Sequence, residues 1–218
     1  MVNHIETYVT PPASQAAARE FTPNFFSTSH AHPLRHVLHN PYRYFIESGP
    51  HNAVQNSLFH LLAQSPDFAV NISSKTAHNE ATALTIAEHL HHRFGIQKYR
   101  TMQIHTCIQE SLSNAIIHGN LELNSLYKNA KDYDAFYAMV QERVQKPEFG
   151  DRRITIAAWH KSLSLRVAVS DQGNGFSIPD YDPNNVSPHG RGLMLIRSLC
   201  DDVRVGDDKR TLWMTFHP

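Results

Sequence analysis

Between Gln109 and Asn120 the chain reads Gln-Glu-Ser-Leu-Ser-Asn-Ala-Ile-Ile-His-Gly-Asn. Glu110, Asn114 and His118 recur every fourth residue. On an α-helix that spacing sets them in one polar row, about 40° from one another at ~100° per residue. Cys107, Ile108, Leu112, Ala115 and Ile116 fall mostly off that row. Packing alone gives no reason to line up a carboxylate, an amide and an imidazole; a binding site does. A side-chain amide oxygen is a neutral, hard ligand suited to Mg²⁺. A carboxylate one turn earlier can take a proton beside such a metal. Gly119 stands where a glycine commonly ends a helix.

Two glycine motifs follow. Asp171-Gln-Gly173-Asn-Gly175 comes directly after an alternating apolar run. Glycines there allow positive φ and let a flat ligand approach the main chain, and the aspartate can accept a hydrogen bond from an exocyclic amine. Asp and Gly also make ordinary turns. Gly190-Arg191-Gly192-Leu193 opens an apolar-periodic segment. Free N–H groups and the positive end of a helix dipole make that a phosphate site. It is not a P-loop, because no Gly-Lys-Ser or Gly-Lys-Thr is present there.

The elements that must hold these residues can be read from periodicity. Phe68–Ser73 reads as a strand. Ser74 or Thr76 caps a helix over 77–94, with Leu84, Ala87 and His91 on one side, and Gly95 stops it. The helix carrying the polar row spans 99–118. After a polar link, Tyr133, Phe136, Tyr137, Val140 and Val144 form a stripe to about residue 145, and Pro147 and Gly150 break it. From Arg153 the period becomes two. Ile154, Ile156 and Ala158, then Leu163, Leu165, Val167 and Val169, make a hairpin turning at Lys161-Ser162. Leu193, Ile196 and Leu199 face inward on a last helix; Val203 and Val205 mark a strand, and 212–216 a closing strand. This predicts an α+β fold, a two-layer sandwich with a mixed, mostly antiparallel sheet and helices on one face.

Residues 1–65 read as an N-terminal extension with short helices. Pro11, Pro12, Pro23, Pro33, Pro41 and Pro50 preclude long helices. Phe21, Phe25, Phe26, Tyr42, Tyr44 and Phe45 are too aromatic for a disordered tail. Val54, Leu58, Leu61 and Leu62 have helical spacing. The segment is either docked on the main domain or an arm for homodimerisation or partner binding.

Composition narrows the classes. The 218 residues hold 20 basic and 20 acidic side chains, so no charge field predicts nucleic acid or membrane lipid as a partner. Cys107 and Cys200 sit in apolar helical patterns and read as reduced core residues. With no membrane-length apolar run and no leader pattern, the expected location is the cytoplasm. Sixteen histidines are unusual. His32 and His36 have ligand spacing, but Pro33 lies between them and no carboxylate or thiolate completes a set; His89, His91 and His92 point different ways on their helix.

Taken together and in order, Glu-x-x-x-Asn-x-x-x-His-Gly, Asp-x-Gly-x-Gly after a strand, and Gly-x-Gly-Leu opening a helix resemble the GHKL ATP-binding superfamily. That superfamily includes histidine kinases, gyrase-type ATPases, ninety-kilodalton heat-shock chaperones and anti-sigma serine kinases. The Asn-Ala-Ile-Ile-His-Gly-Asn run and the short lid, a proline-bearing loop over 177–190, most resemble the anti-sigma kinases. The resemblance covers roughly residues 66–218, with 121–150 as a helical insertion, and implies the Bergerat fold, ATP and Mg²⁺. It implies Glu110 as general base and Asn114 as the Mg²⁺ ligand. His118 would reach a phosphate or cap its helix. Asp171 would bind the adenine amino group, with Gly173 and Gly175 shaping the pocket. Gly190, Arg191 and Gly192 would contact phosphate, and Thr211 would lie near adenine. The implied partners are a small antagonist protein as phosphoryl acceptor and a sigma factor. The alternatives are a non-catalytic or weakly hydrolytic ATP-binding module, or a histidine-kinase remnant whose phosphoacceptor box is Ser29-His30 with Pro33-Leu34-Arg35.

Overall fold

In the computed structural model the described residues are 23–27, 34–49, 56–79, 81–123, 133–162, 164–176 and 191–217. They form, in chain order, β1 (Pro23–Phe26), α1 (Leu34–Leu38), β2 (Tyr44–Glu47), α2 (Asn56–Ala63), β3 (Phe68–Ser73), α3 (Ser74–Ala77) and α4 (Ala81–Phe94). Next come α5 (Lys98–Asn114), a π-helical turn (Ala115–Asn120), α6 (Tyr133–Gln145) and α7 (Pro147–Gly150). The chain closes with β4 (Arg153–Lys161), β5 (Ser164–Ser170), α8 (Arg191–Leu199), β6 (Asp202–Val205) and β7 (Thr211–Phe216).

All seven strands share one sheet in the order β1-β2-β3-β4-β5-β7-β6. β1, β2 and β3 run parallel; the remaining pairs are antiparallel. The two-residue period decides which side chains meet the helices. Phe68, Val70, Ile72, Ile154, Ile156, Ala158, Leu165, Val167, Val169, Leu212, Met214 and Phe216 form one face. Against it lie α1, α4, α5 and Ile196 of α8. Ala69, Ala157, Trp159 and Ala168 point the other way and meet Leu61 of α2. The helix layer is therefore on one face, as the pattern predicts, except that the short α2 crosses to the other.

On α4 the buried stripe is Ala83, Ile86, Ala87 and Leu90, with spacing i, i+3, i+4, i+7. The expected Leu84 side is out of phase, and Leu84 is exposed. Two apolar stripes overlap in this sequence, and the one with the branched Ile86 wins the core. The helix start also differs. Ser73, not Ser74 or Thr76, is the cap: its hydroxyl accepts from Thr76 N at 3.1 Å over the single turn α3, and α4 begins afresh at Ala81. Gly95 ends α4 with φ +66°.

The described residues between 23 and 63 are continuous with this sheet and core. β1 and β2 extend it at the β3 edge, and Phe45 and Leu38 are buried in the main core. Glu47 of β2 reaches across. Its carboxylate accepts from Ser73 N and from the Thr76 hydroxyl, each at 2.5 Å, and pairs with the buried Arg153 at 3.5 Å. Among the described residues, no helix is long and apolar enough to cross a membrane, and no group of three His, Cys, Asp or Glu side chains is arranged to hold a metal. Cys107 and Cys200 are both free thiols.

Candidate functional site

α5 brings Glu110 and Asn114 to the edge of the core, because Ile104, Cys107, Ile108 and Leu112 bury its opposite side. After Asn114 the helix widens into the π-helical turn. Such turns insert a residue into the helical register and concentrate at functional sites. Gly119 lies inside this turn rather than capping it, and its φ is not positive. It is glycine for a different reason. A Cβ there would stand 2.6 Å from Cγ of Asp171, and a Cβ on Gly173 would stand 2.5 Å from Cα of Gly119. The turn and the end of β5 touch backbone to backbone, and both glycines are needed for that contact.

Asn120 holds the junction together. It is fully buried. Its amide nitrogen donates to Ser74 Oγ (2.8 Å) and Arg153 O (3.2 Å), and its amide oxygen accepts from Gln172 N (2.7 Å). The Gln172 side chain returns the contact by accepting from Arg153 N at 2.7 Å. Four elements thus meet on one amide. The motif reading includes this residue at the end of the Asn-Ala-Ile-Ile-His-Gly-Asn run and gives it no role.

Between the turn and the sheet is a cavity of about 220 Å³. Ser111, Asn114, Ala115, His118 and Gly119 form its helical wall; Val169, Asp171 and Leu212 form its floor; Gly175, Phe176 and Leu193 rim it. The lining is mainly apolar, with a few convergent polar groups, as small-molecule sites are. Asp171 is buried, and Gly173 N donates to its Oδ1 at 2.7 Å. Burial pushes its carboxyl up to about 6, the Gly173 hydrogen bond and Arg210 pull it back, and Asp208 adds to the rise. Among the described residues no donor reaches its second oxygen. A buried acceptor in an apolar cavity is suited to the amino group of a flat base. Gly175 takes φ +88°, and Phe176 N donates to Lys209 O at 2.7 Å, so this loop is tied to the turn before β7.

The other end of the site is at α8. A Cβ on Gly192 would lie 2.5 Å from Glu110 Oε2 and 3.8 Å from Asn114 Nδ2. Hence the first turn of α8, Glu110 and Asn114 converge on one point. Free N–H groups at a helix start suit an anion, while an amide and a carboxylate suit Mg²⁺; this donor set fits a metal-bound phosphate chain. Arg191 is exposed at that helix start. Gly190 lies outside the described residues. Thr211 is elsewhere than at the cavity wall. Its hydroxyl donates to Asp208 Oδ2 (2.6 Å) and pairs with Ser170 Oγ (3.0 Å), and its neighbour Leu212 faces the cavity. His118 lines the cavity and is tied through Nδ1 to Leu123 O at 2.8 Å.

A search of curated proteins found no match. A scan against protein-family models matches the histidine kinase-like ATPase domain over residues 72–216. The matched stretch runs from the end of β3 through β7 and contains the described cavity. The cavity with its buried aspartate, the polar helix row and the glycine-opened helix all fall within it, and the chain belongs to the histidine kinase-like ATPase domain family.

Proposed function

We propose that the protein is a serine/threonine kinase of the anti-sigma type, which transfers the γ-phosphoryl group of ATP to a hydroxyl of a small antagonist protein and sequesters a sigma factor. An ATP-binding domain of this family supports ATP-dependent phosphotransfer or hydrolysis. The observation that carries the finer reading is Glu110, a carboxylate beside Asn114 at the start of α8. Nucleotide binding alone has no use for a base there.

In this reading Asp171 accepts from the adenine amino group. Asn114 and the α8 N–H groups bind the phosphate end. Bound Mg²⁺ would supply charge neutralisation between the phosphates. Glu110 takes the proton from the incoming hydroxyl as its oxygen bonds to the γ-phosphorus and the bond to the β–γ bridging oxygen breaks, releasing ADP. The phosphoacceptor box at Ser29-His30 belongs to the remnant alternative and lies outside the described residues.

Glu110→Gln tests this. The variant should bind ATP-Mg²⁺ as the wild type does and lose transfer by about 10²–10⁴-fold, the usual effect of removing a positioned base. The phosphate on the acceptor should be acid-stable and base-labile. Full transfer by Glu110→Gln to an identified acceptor overturns the assignment, and an acid-labile phosphate points to histidine instead.

A further inference from the structure

The segment from α6 to Arg152 contributes nothing to the cavity wall, yet it folds back onto the turn that carries the site. Arg143 donates through Nη1 to Leu121 O and reaches Glu122 O at 3.4 Å. Arg152 donates through Nη1 to Asn120 O at 2.9 Å and to the Glu122 carboxylate at 2.6 Å. The two guanidinium carbons stand 5.0 and 5.1 Å from the centroid of the Phe149 ring. Phe149 lies on α7, so the short helix sets the spacing of both arginines.

Two physical needs meet here. The last carbonyls of a helix lack intrahelical partners, and they form the negative end of its dipole. A π-helical turn is also uncommon and depends on its surroundings to persist. Two planar cations stacked on one ring satisfy the carbonyls and complement the dipole together.

The grip extends to a cavity residue. His118 Nδ1 meets Leu123 O at 2.8 Å. A carbonyl only accepts, so Nδ1 carries the proton, and in the neutral ring Nε2 is the acceptor. Leu123 is itself held by its N–H on Ile117 O at 2.8 Å. The arginines fix residues 120–122, directly before Leu123, whose carbonyl fixes the ring.

We propose that Arg143 and Arg152 are positioning residues for nucleotide binding, holding the π-helical turn so that His118 keeps its Nδ1–H tautomer and its place in the cavity wall. This rests on the reading of the cavity as an ATP site. The helical insertion is then a working part of that site.

The test uses the full chain, imidazole nitrogen NMR and titration with a non-hydrolysable ATP analogue plus Mg²⁺. His118→Gln identifies the His118 resonances. Arg143→Gln should move His118 toward the Nε2–H tautomer and weaken analogue binding roughly tenfold, the lower end of the effect of removing an outer-shell partner. Lys146→Gln, which breaks only the pair with Glu142, should leave both readouts at wild type. If Arg143→Gln does not fold, Arg152→Gln is measured in its place, and the same two shifts are expected of it. A folded variant with either readout at its wild-type value overturns the proposal. A wild-type protein that does not bind the analogue overturns the ATP reading itself.

Discussion

In the proposed reading Asp171 serves the base end of the nucleotide, at a cost in stability. Its ionised form would be the stronger acceptor for an amino group, and burial lifts its carboxyl to about 6. Nucleotide affinity should therefore hold above pH 7 and fall below pH 6, by about tenfold per unit once the group is protonated. Asp171→Asn should lose roughly 1.5–3 kcal/mol of adenine binding and relax discrimination against guanine. If adenine and guanine nucleotides bind the wild type equally well, Asp171 does not read the base. In the empty protein the sign reverses. A carboxyl whose folded value exceeds its unfolded one destabilises the fold at neutral pH, and stability rises as pH falls from 6 toward 3.8. The variant should melt higher than wild type at pH 7. His89 works the opposite way. It packs 4.8 Å from Phe68 and 6.0 Å from Phe45. Burial, with Arg93 nearby, lowers it to about 4, against an ordinary 6.5, and its buried Nε2 has no hydrogen-bond partner among the described residues. The folded state thus binds fewer protons than the unfolded one, and stability from this residue is lost as pH falls from 6.5 to 4. Because Asp171 offsets it over much of that window, the measurement is a difference: His89→Phe should lose less stability than wild type between about pH 7 and pH 5 in denaturant titrations. Equal losses contradict the burial account.

The helix turn and the end of β5 belong together as one element pair. Gly119→Ala or Gly173→Ala forces a Cβ into Asp171 or into the opposing backbone. Overpacking of this kind typically costs about 1–3 kcal/mol, and it acts where the aspartate is aimed. Both variants should lose nucleotide binding by more than their drop in melting temperature explains, as shown by calorimetry beside thermal melts. Wild-type affinity in a folded Gly173→Ala variant contradicts the close approach. These contacts also mark how far the sequence can be read. Periodicity exposes the inward faces of α5 and α8, because each helix buries one side, and it exposes the β4–β5 hairpin because Ile154, Ile156, Leu165, Val167 and Val169 alternate along it, although β4 is buried on both faces. β2 gives no such signal. Its four residues are Tyr44, Phe45, Ile46 and Glu47, three of them buried, and a short strand covered on both faces does not alternate. The spacing of Glu110, Asn114 and His118 is legible, but the widened turn is not, since it is held from elsewhere in the chain, by Ser74, Arg153 and Gln172 on Asn120 and by Arg143 and Arg152 on the carbonyls of 120–122. Gly119 is visible as a glycine, and its reason is not, because the contact that needs it is with residue 171.

At the scale of the whole molecule, one sheet joins β1 and β2 of the 1–65 segment to the ATP-binding domain. Removing residues 1–65 would strip Phe45, Leu34, Val37 and Leu38 from the core and leave Arg153 buried without Glu47. Breaking a buried pair by deleting one partner costs about 3–5 kcal/mol. The truncated protein should lack a cooperative melt; a sharp transition near that of the full chain would show that residues 66–218 fold alone. The central claim is that the α5 row and the start of α8 hold the phosphates of ATP through Mg²⁺. Its most direct test is calorimetric titration of ATP into the full chain and into Asn114→Ala, each with Mg²⁺ and with a chelator. The account predicts tight binding to the wild type only with Mg²⁺, and strongly weakened binding to the variant. Equal ATP affinity in wild type and Asn114→Ala with Mg²⁺ present would contradict it.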